Sequence, residues 1–203
     1  MFSRLRILFM VPVAAAMLAV AGPASACVGK NLSVAGVASP DVMVVAEMLA
    51  VLITERTGTT VTVTYYKDFP RCYEALKNDE VDIVIDFTGR CYTDVLGKGA
   101  EPDAGKVFSA VKEAYQRDLN LVWLEPFGFT GTGAEAGKGG APAVAAPVLR
   151  KDTLNKFPAL PRVINKLSGR LTNDVISKIA GQGTDEKVLK KSTRKYLKDN
   201  RLI

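Results

Sequence analysis

LVWLEPFGFTGTGAEAGKGGAPAVAAPVL, residues 121–149, sets two short apolar runs around a segment of a different kind. Leu121–Leu124 is a strand closed by Glu125-Pro126, and Ala145–Leu149 is a second strand. Pro147 lies inside that second run, which predicts an edge position or a bulge. Between them, Gly131–Val144 is built mostly of glycine, alanine and proline. So few large side chains cannot bury enough surface to form a core. Residues 131–144 are therefore expected to be a Gly/Ala-rich linker inside a single domain spanning 27–203.

Upstream, strands and helices alternate. Leu32–Val37 reads as a buried strand. Ser39-Pro40-Asp41 opens a helix, with an N-cap residue, a first-turn proline and an acid at the positive end of the dipole. Val44, Val45, Met48, Leu49 and Leu52 recur at helical spacing, and Gly58 ends the helix. Thr60–Tyr66 is β-branched and aromatic, hence a strand. Pro70–Asn78 is a short helix, Val81–Phe87 a strand, Arg90–Leu96 the start of a helix and Ala104–Asp118 an amphipathic helix. Downstream, helices are expected over 152–157, 159–167, 172–180 and 185–198. The alternation predicts an α/β fold: a mostly parallel sheet with helices on both faces, plus C-terminal helices.

Composition narrows the function. Met1–Ala26 has a basic start at Arg4 and Arg6, an apolar stretch and an Ala24-Ser25-Ala26 site, as in a cleaved export signal. The product is thus expected in the periplasm or outside the cell. Cys27 follows directly and is a candidate for lipid anchoring, although Ala24 stands where lipoprotein signals usually carry Leu. In an oxidising compartment Cys72 and Cys91 are candidates for a disulfide; separate buried thiols and a redox pair are the alternatives. The net charge of +6 is concentrated near the C-terminus, where Asp185, Glu186 and Asp199 interleave with seven basic residues. That pattern is a solvated helix face, and no nucleic-acid partner is expected. With no histidine, His-based triads and His-rich metal sites are excluded. Gly133–Lys138 lacks the first glycine and the Ser/Thr of a phosphate loop. Asp82, Asp86 and Asp94 have no identifiable acid/base partner and read as solvent or cap residues. No catalytic residue, cofactor or metal is expected, and the chain is read as a non-enzyme.

Three stretches carry a family resemblance: Arg71–Gly89 (RCYEALKNDEVDIVIDFTG), Leu121–Phe129 (LVWLEPFGF) and Ala145–Gly169 (AAPVLRKDTLNKFPALPRVINKLSG) with the following Arg170-Leu171-Thr172. They resemble the periplasmic glycine betaine/choline/osmoprotectant substrate-binding domain of ABC importers. The resemblance implies one lobe of a periplasmic binding protein-like type II fold, with Gly131–Val144 where the chain of a two-lobed relative crosses to its second lobe. It also implies a small quaternary ammonium ligand, held by cation–π attraction in an aromatic box, and a permease partner in the inner membrane. Phe87 stands where the family has the tyrosine of an E-Y-T-G motif, with Thr88 beside it. Ser39, Tyr66 and Phe69 follow other strand ends and complete the candidate ligand site, because open α/β sheets bind ligands there. Gly133 and Ala143 replace aromatic residues of the family. A box lacking walls forfeits contacts worth about 0.5–2 kcal/mol each, so solute binding is expected to be weak or lost. The alternative is a single-lobe interaction or assembly module in the periplasm, self-associating through an exposed apolar cleft face.

Overall fold

The computed structural model describes residues 31–203. The export signal at Met1–Ala26 and the anchoring candidate Cys27 lie outside the described residues. Three parallel strands, β1 (Asn31–Val37), β2 (Thr60–Tyr66) and β3 (Ile83–Phe87), are joined by α1 (Pro40–Thr57) and α2 (Phe69–Lys77). After β3 the chain makes one helical turn, α3 (Thr88–Arg90), which widens into a π-helical turn at Cys91–Val95. Next, α4 (Ala104–Asp118) leads to β4 (Leu121–Trp123). Then β5 (Ala145–Arg150) inserts between β3 and β4, antiparallel to both, giving the order β2-β1-β3-β5-β4. The C-terminal helices are α5 (Lys151–Lys156), α6 (Leu160–Ile164), α7 (Asn173–Ala180) and α8 (Glu186–Asp199). The expected α/β lobe with a mostly parallel sheet is observed, and β5 is its reversed strand among the described residues.

Pro147 corrects one expectation. It sits in an interior strand opposite Ile85, neither at an edge nor at a bulge. Its carbonyl accepts from Leu124, so its missing N–H also faces the β4 side. The β4 ladder has already stopped there, at Trp123↔Val148, so no ladder bond is lost.

α1 begins and ends as its sequence predicts. Pro40 is in the first turn, and Gly58 adopts φ 70° while donating to the Thr54 carbonyl. Ser39 is the N-cap by position, but its side chain makes no capping bond. The apolar stripe does not foretell that α1 is buried nearly all round, Ala46, Val51 and Ile53 included. One face lies on β1 and β2, and α6, α7 and α8 close over the other. A helix sandwiched this way needs apolar residues on every side.

Glu47 is the exception on α1, only 2% exposed. Oε1 accepts from Tyr65, while Oε2 has no hydrogen-bond partner among the described residues. Burial raises the Glu47 pKa, against the opposing pull of Lys190. Below the ordinary carboxylate value Glu47 is protonated folded or unfolded, and it costs nothing. As pH rises toward the raised folded value, only the unfolded chain ionises, and stability falls. Glu47→Gln is therefore expected to remove a loss of melting temperature that begins above about pH 4.3, leaving the variant the more stable of the two at neutral pH. Parallel melting profiles for the two proteins from pH 4 to 7 would refute this.

At the N-terminal end of β3, Asp82 is a structural hub, not a solvent residue. It accepts from Ser33 N (2.9 Å), Ser33 Oγ (2.8 Å), Arg150 and Thr153. Arg150 also pairs with Asp79 and Asp152 and donates to the Val81 carbonyl. Lys156 and then Arg150 hydrogen-bond Asp152 and hold its carboxyl down at about 2. This cluster pins the sheet edge opposite the one that carries the candidate site.

Candidate functional site

The C-terminal ends of β1, β2 and β3 place Ser39, Tyr66–Phe69 and Phe87–Thr88 along one sheet edge. Asp68 caps α2 by accepting from Arg71 N at 2.9 Å, which fixes Phe69 and Pro70 in the first turn. A cleft of about 770 Å³ opens there. Its walls are the start of α2 (Asp68, Phe69, Pro70, Tyr73), the turn after β3 (Arg90, Asp94, Val95) and the 131–144 segment (Gly133, Ala134, Gly137, Lys138).

That third wall is a folded loop. Thr130 and Val144 form an antiparallel bridge at its base. Thr132 and Glu135 cap a 3-10 turn reciprocally. Lys138 N donates to Asp94 Oδ1 at 3.0 Å, which holds Asp94 below the usual carboxylate range. Gly89 permits the close approach: a Cβ there would lie 2.5 Å from the Ala141 carbonyl and 2.9 Å from Ala136 Cα. The segment is held by backbone contact, which is why its composition conceals its order.

The five expected ligand residues separate. Phe69 lines the cleft. Phe87 lies beneath it, 2% exposed, edge-to-face with Phe69 (5.7 Å) and Phe129 (5.8 Å). Thr88 is buried and ties down the loop: Oγ1 donates to the Pro142 carbonyl and accepts from Val144 N, while Thr88 N donates to the Val144 carbonyl. Ser39 and Tyr66 are half-buried and are not part of its walls. Phe87, Phe127 and Phe129 are all buried.

The residue that sequence reasoning missed is Arg90. It is 4% exposed and forms a fork with Asp86: Nε to Oδ1 and Nη2 to Oδ2, each 2.6 Å. Asp86 also accepts from Phe87 N at 2.7 Å, so it is a buried ion-pair partner instead of a solvent residue. Burial acts against the Arg90 charge, but Asp86 outweighs it and the pKa is raised. The Arg90 guanidinium lies over the Phe69 ring, 4.9 Å from its centroid. The one sequence clue was the four-residue spacing of Asp86 and Arg90.

Of the three readings of Cys72 and Cys91, the structure has the separate buried thiols. Each is packed into the core, from α2 and from the π-helical turn. Burial pushes Cys72 up to about 12 and raises Cys91 as well. Neither thiol is the exposed, acidified group that thiol exchange requires. Among the described residues, no three His, Cys, Asp or Glu side chains converge as metal ligands. No described helix is long and apolar enough to cross a membrane.

The site is thus a cleft at the strand C-termini of an α/β lobe, beside a capped helix start. Residues 30–136 match the family of substrate-binding domains of ABC-type glycine betaine transport systems, and the chain belongs to that family. It is a family of solute-binding proteins, not enzymes. The fold is similar to that of a glycine betaine/carnitine/choline ABC transporter protein (TM-score 0.74, 13% identity, covering 85% of this chain and 98% of that one). It is also similar to apo YehZ from Escherichia coli (TM-score 0.69, 12% identity, 85% and 99%). Lactococcal OpuAC, closed on glycine betaine, is a more distant match (TM-score 0.51, 11% identity, 85% and 96%).

Proposed function

We propose that this protein is an exported solute-binding component serving an ABC permease of the inner membrane, with a reduced site for small quaternary ammonium solutes. The observation that carries this reading is the position of the cleft. It lies at the strand C-terminal edge, where open α/β sheets take their ligands, with Phe69 on its wall. In this reading the 131–144 loop takes the place of a second lobe. It contributes Gly133, Ala134 and Gly137 where an enclosing box would need aromatic faces. Affinity is correspondingly low, because cation–π contacts weaken when solvent reaches them.

Isothermal titration with glycine betaine, choline and carnitine, beside melting curves at millimolar ligand, tests this. The expected dissociation constants are on the order of 1 mM, near −4 kcal/mol. No heat and no change in melting temperature with any of the three would remove the solute-binding role.

A further inference from the structure

A second cavity, of about 440 Å³, lies between α1, the edge strand β2 and α8, and shares no lining residue with the cleft. Val61, Val63 and Tyr65 alternate along β2 and so present one face to it. Met43 and Leu189 add to its apolar wall. Glu47 also lines this cavity and is the one side chain there with a bare buried oxygen among the described residues. The residue is only 2% exposed; Tyr65 Oη donates to Oε1 at 3.2 Å, and Oε2 accepts no hydrogen bond. A polar atom left bare in low dielectric rewards a matching partner more than a surface atom does.

The other charged lining residues are Glu186 and Lys190, one turn apart on α8, where Lys190 Nζ donates to Glu186 Oε1. Their charges offset each other, and the remaining polar lining, Thr62 and Thr184, is uncharged. The cavity is therefore net negative once Glu47 ionises. An ammonium that carries N–H bonds answers this arrangement. One N–H fills Oε2, and the charge compensates the carboxylate. A quaternary ammonium has no N–H to give, and a neutral donor leaves the carboxylate without a counter-charge.

We infer that this cavity is a second binding site, for a small primary alkylammonium ion, with Glu47 as its anchor and Met43, Val63 and Leu189 against the alkyl body. The site is separate from the cleft and stands whether or not the cleft takes a solute. Burial raises the Glu47 pKa, and the titratable groups that face it are Lys190 and Glu186 from α8 and Tyr65 from β2. The bound cation favours the carboxylate over the acid. Where the free site holds the proton, binding releases it to solvent, and affinity rises with pH up to the raised value.

Titrations with n-butylammonium, 1-butanol, butyrate and tetramethylammonium at matched ionic strength, followed by backbone amide NMR, separate these contributions. Butylammonium is expected to shift the Val63, Leu189 and Lys190 signals saturably while those of Phe69 and Val95 stay in place. It should bind roughly tenfold or more tightly than each of the other three, as a hydrogen bond to a charged group allows. Its affinity should be higher at pH 7 than at pH 5. Glu47→Gln keeps the shape and an acceptor for Tyr65; it should bind butylammonium roughly tenfold or more weakly and lose the pH dependence. Butanol or tetramethylammonium binding as well as butylammonium, or an unchanged affinity in Glu47→Gln, would overturn the assignment. So would the absence of any saturable shift up to about 100 mM butylammonium. If Glu47→Gln fails to fold, the wild-type ranking and its pH dependence decide by themselves.

Discussion

Arg90→Ala is expected to lower the unfolding free energy by about 3–5 kcal/mol, because it strands a carboxylate in the core. The Arg90 and Asp86 side chains are only 5% and 3% exposed. With the guanidinium gone, Asp86 keeps the Phe87 N–H and loses its counter-charge. Removing both charges together is a different matter, since a buried pair replaced by apolar or neutral groups is often close to neutral in stability. The combination of Asp86→Asn and Arg90→Met should therefore recover most of what Arg90→Ala loses. Urea unfolding followed by the fluorescence of Trp123, the single tryptophan, reads both. A single variant within about 1 kcal/mol of wild type would mean that the fork is solvated and carries no structural weight.

Phe87→Ala is expected to cost about 3–5 kcal/mol by cavity formation, with little direct effect on ligand affinity in the protein that remains folded. Its ring is the middle member of an edge-to-face chain from Phe69 to Phe129 and has no share of the cleft wall. Phe69→Ala should behave oppositely. Phe69 is 8% exposed and lines the cleft, so its loss should cost less stability and change solute binding. If Phe87→Ala abolished binding while leaving the melting temperature intact, the family-based assignment of Phe87 to the ligand box would be the correct one.

Much of the lobe was legible in the chain. The parallel half follows from alternating strand and helix patterns, and Pro40 and Gly58 sit at the ends of α1 where local chemistry puts them. What was hidden depends on contacts between distant segments. The burial of α1 on all sides requires α6, α7 and α8, which the α1 sequence does not encode. The reversed β5 strand, and with it the placement of Pro147, is a choice of partner that no local pattern specifies. The candidate site was the least legible part. Phe69 was placed on its wall, but Arg90 reads as an ordinary first-turn residue until α3 stacks it over Asp86. The 131–144 loop has no apolar periodicity to betray it. Its fit rests on glycine backbones meeting backbone, Gly89 against Ala136 and Ala141.

The bridge between Thr130 and Val144 has a consequence for how such lobes are assembled. Residues facing each other in an antiparallel bridge have Cα atoms only about 4.5–5.5 Å apart. The β4–β5 pairing lies on the sheet side of that point, and Thr88 clasps Val144 at the point itself. The framework therefore closes like a socket whose two contacts are already adjacent, and what is plugged between them does not set its geometry. A short loop or an entire inserted globule satisfies the same two contacts, so the size of this excursion is free to change by splicing at a single place while the scaffold beneath it stays whole.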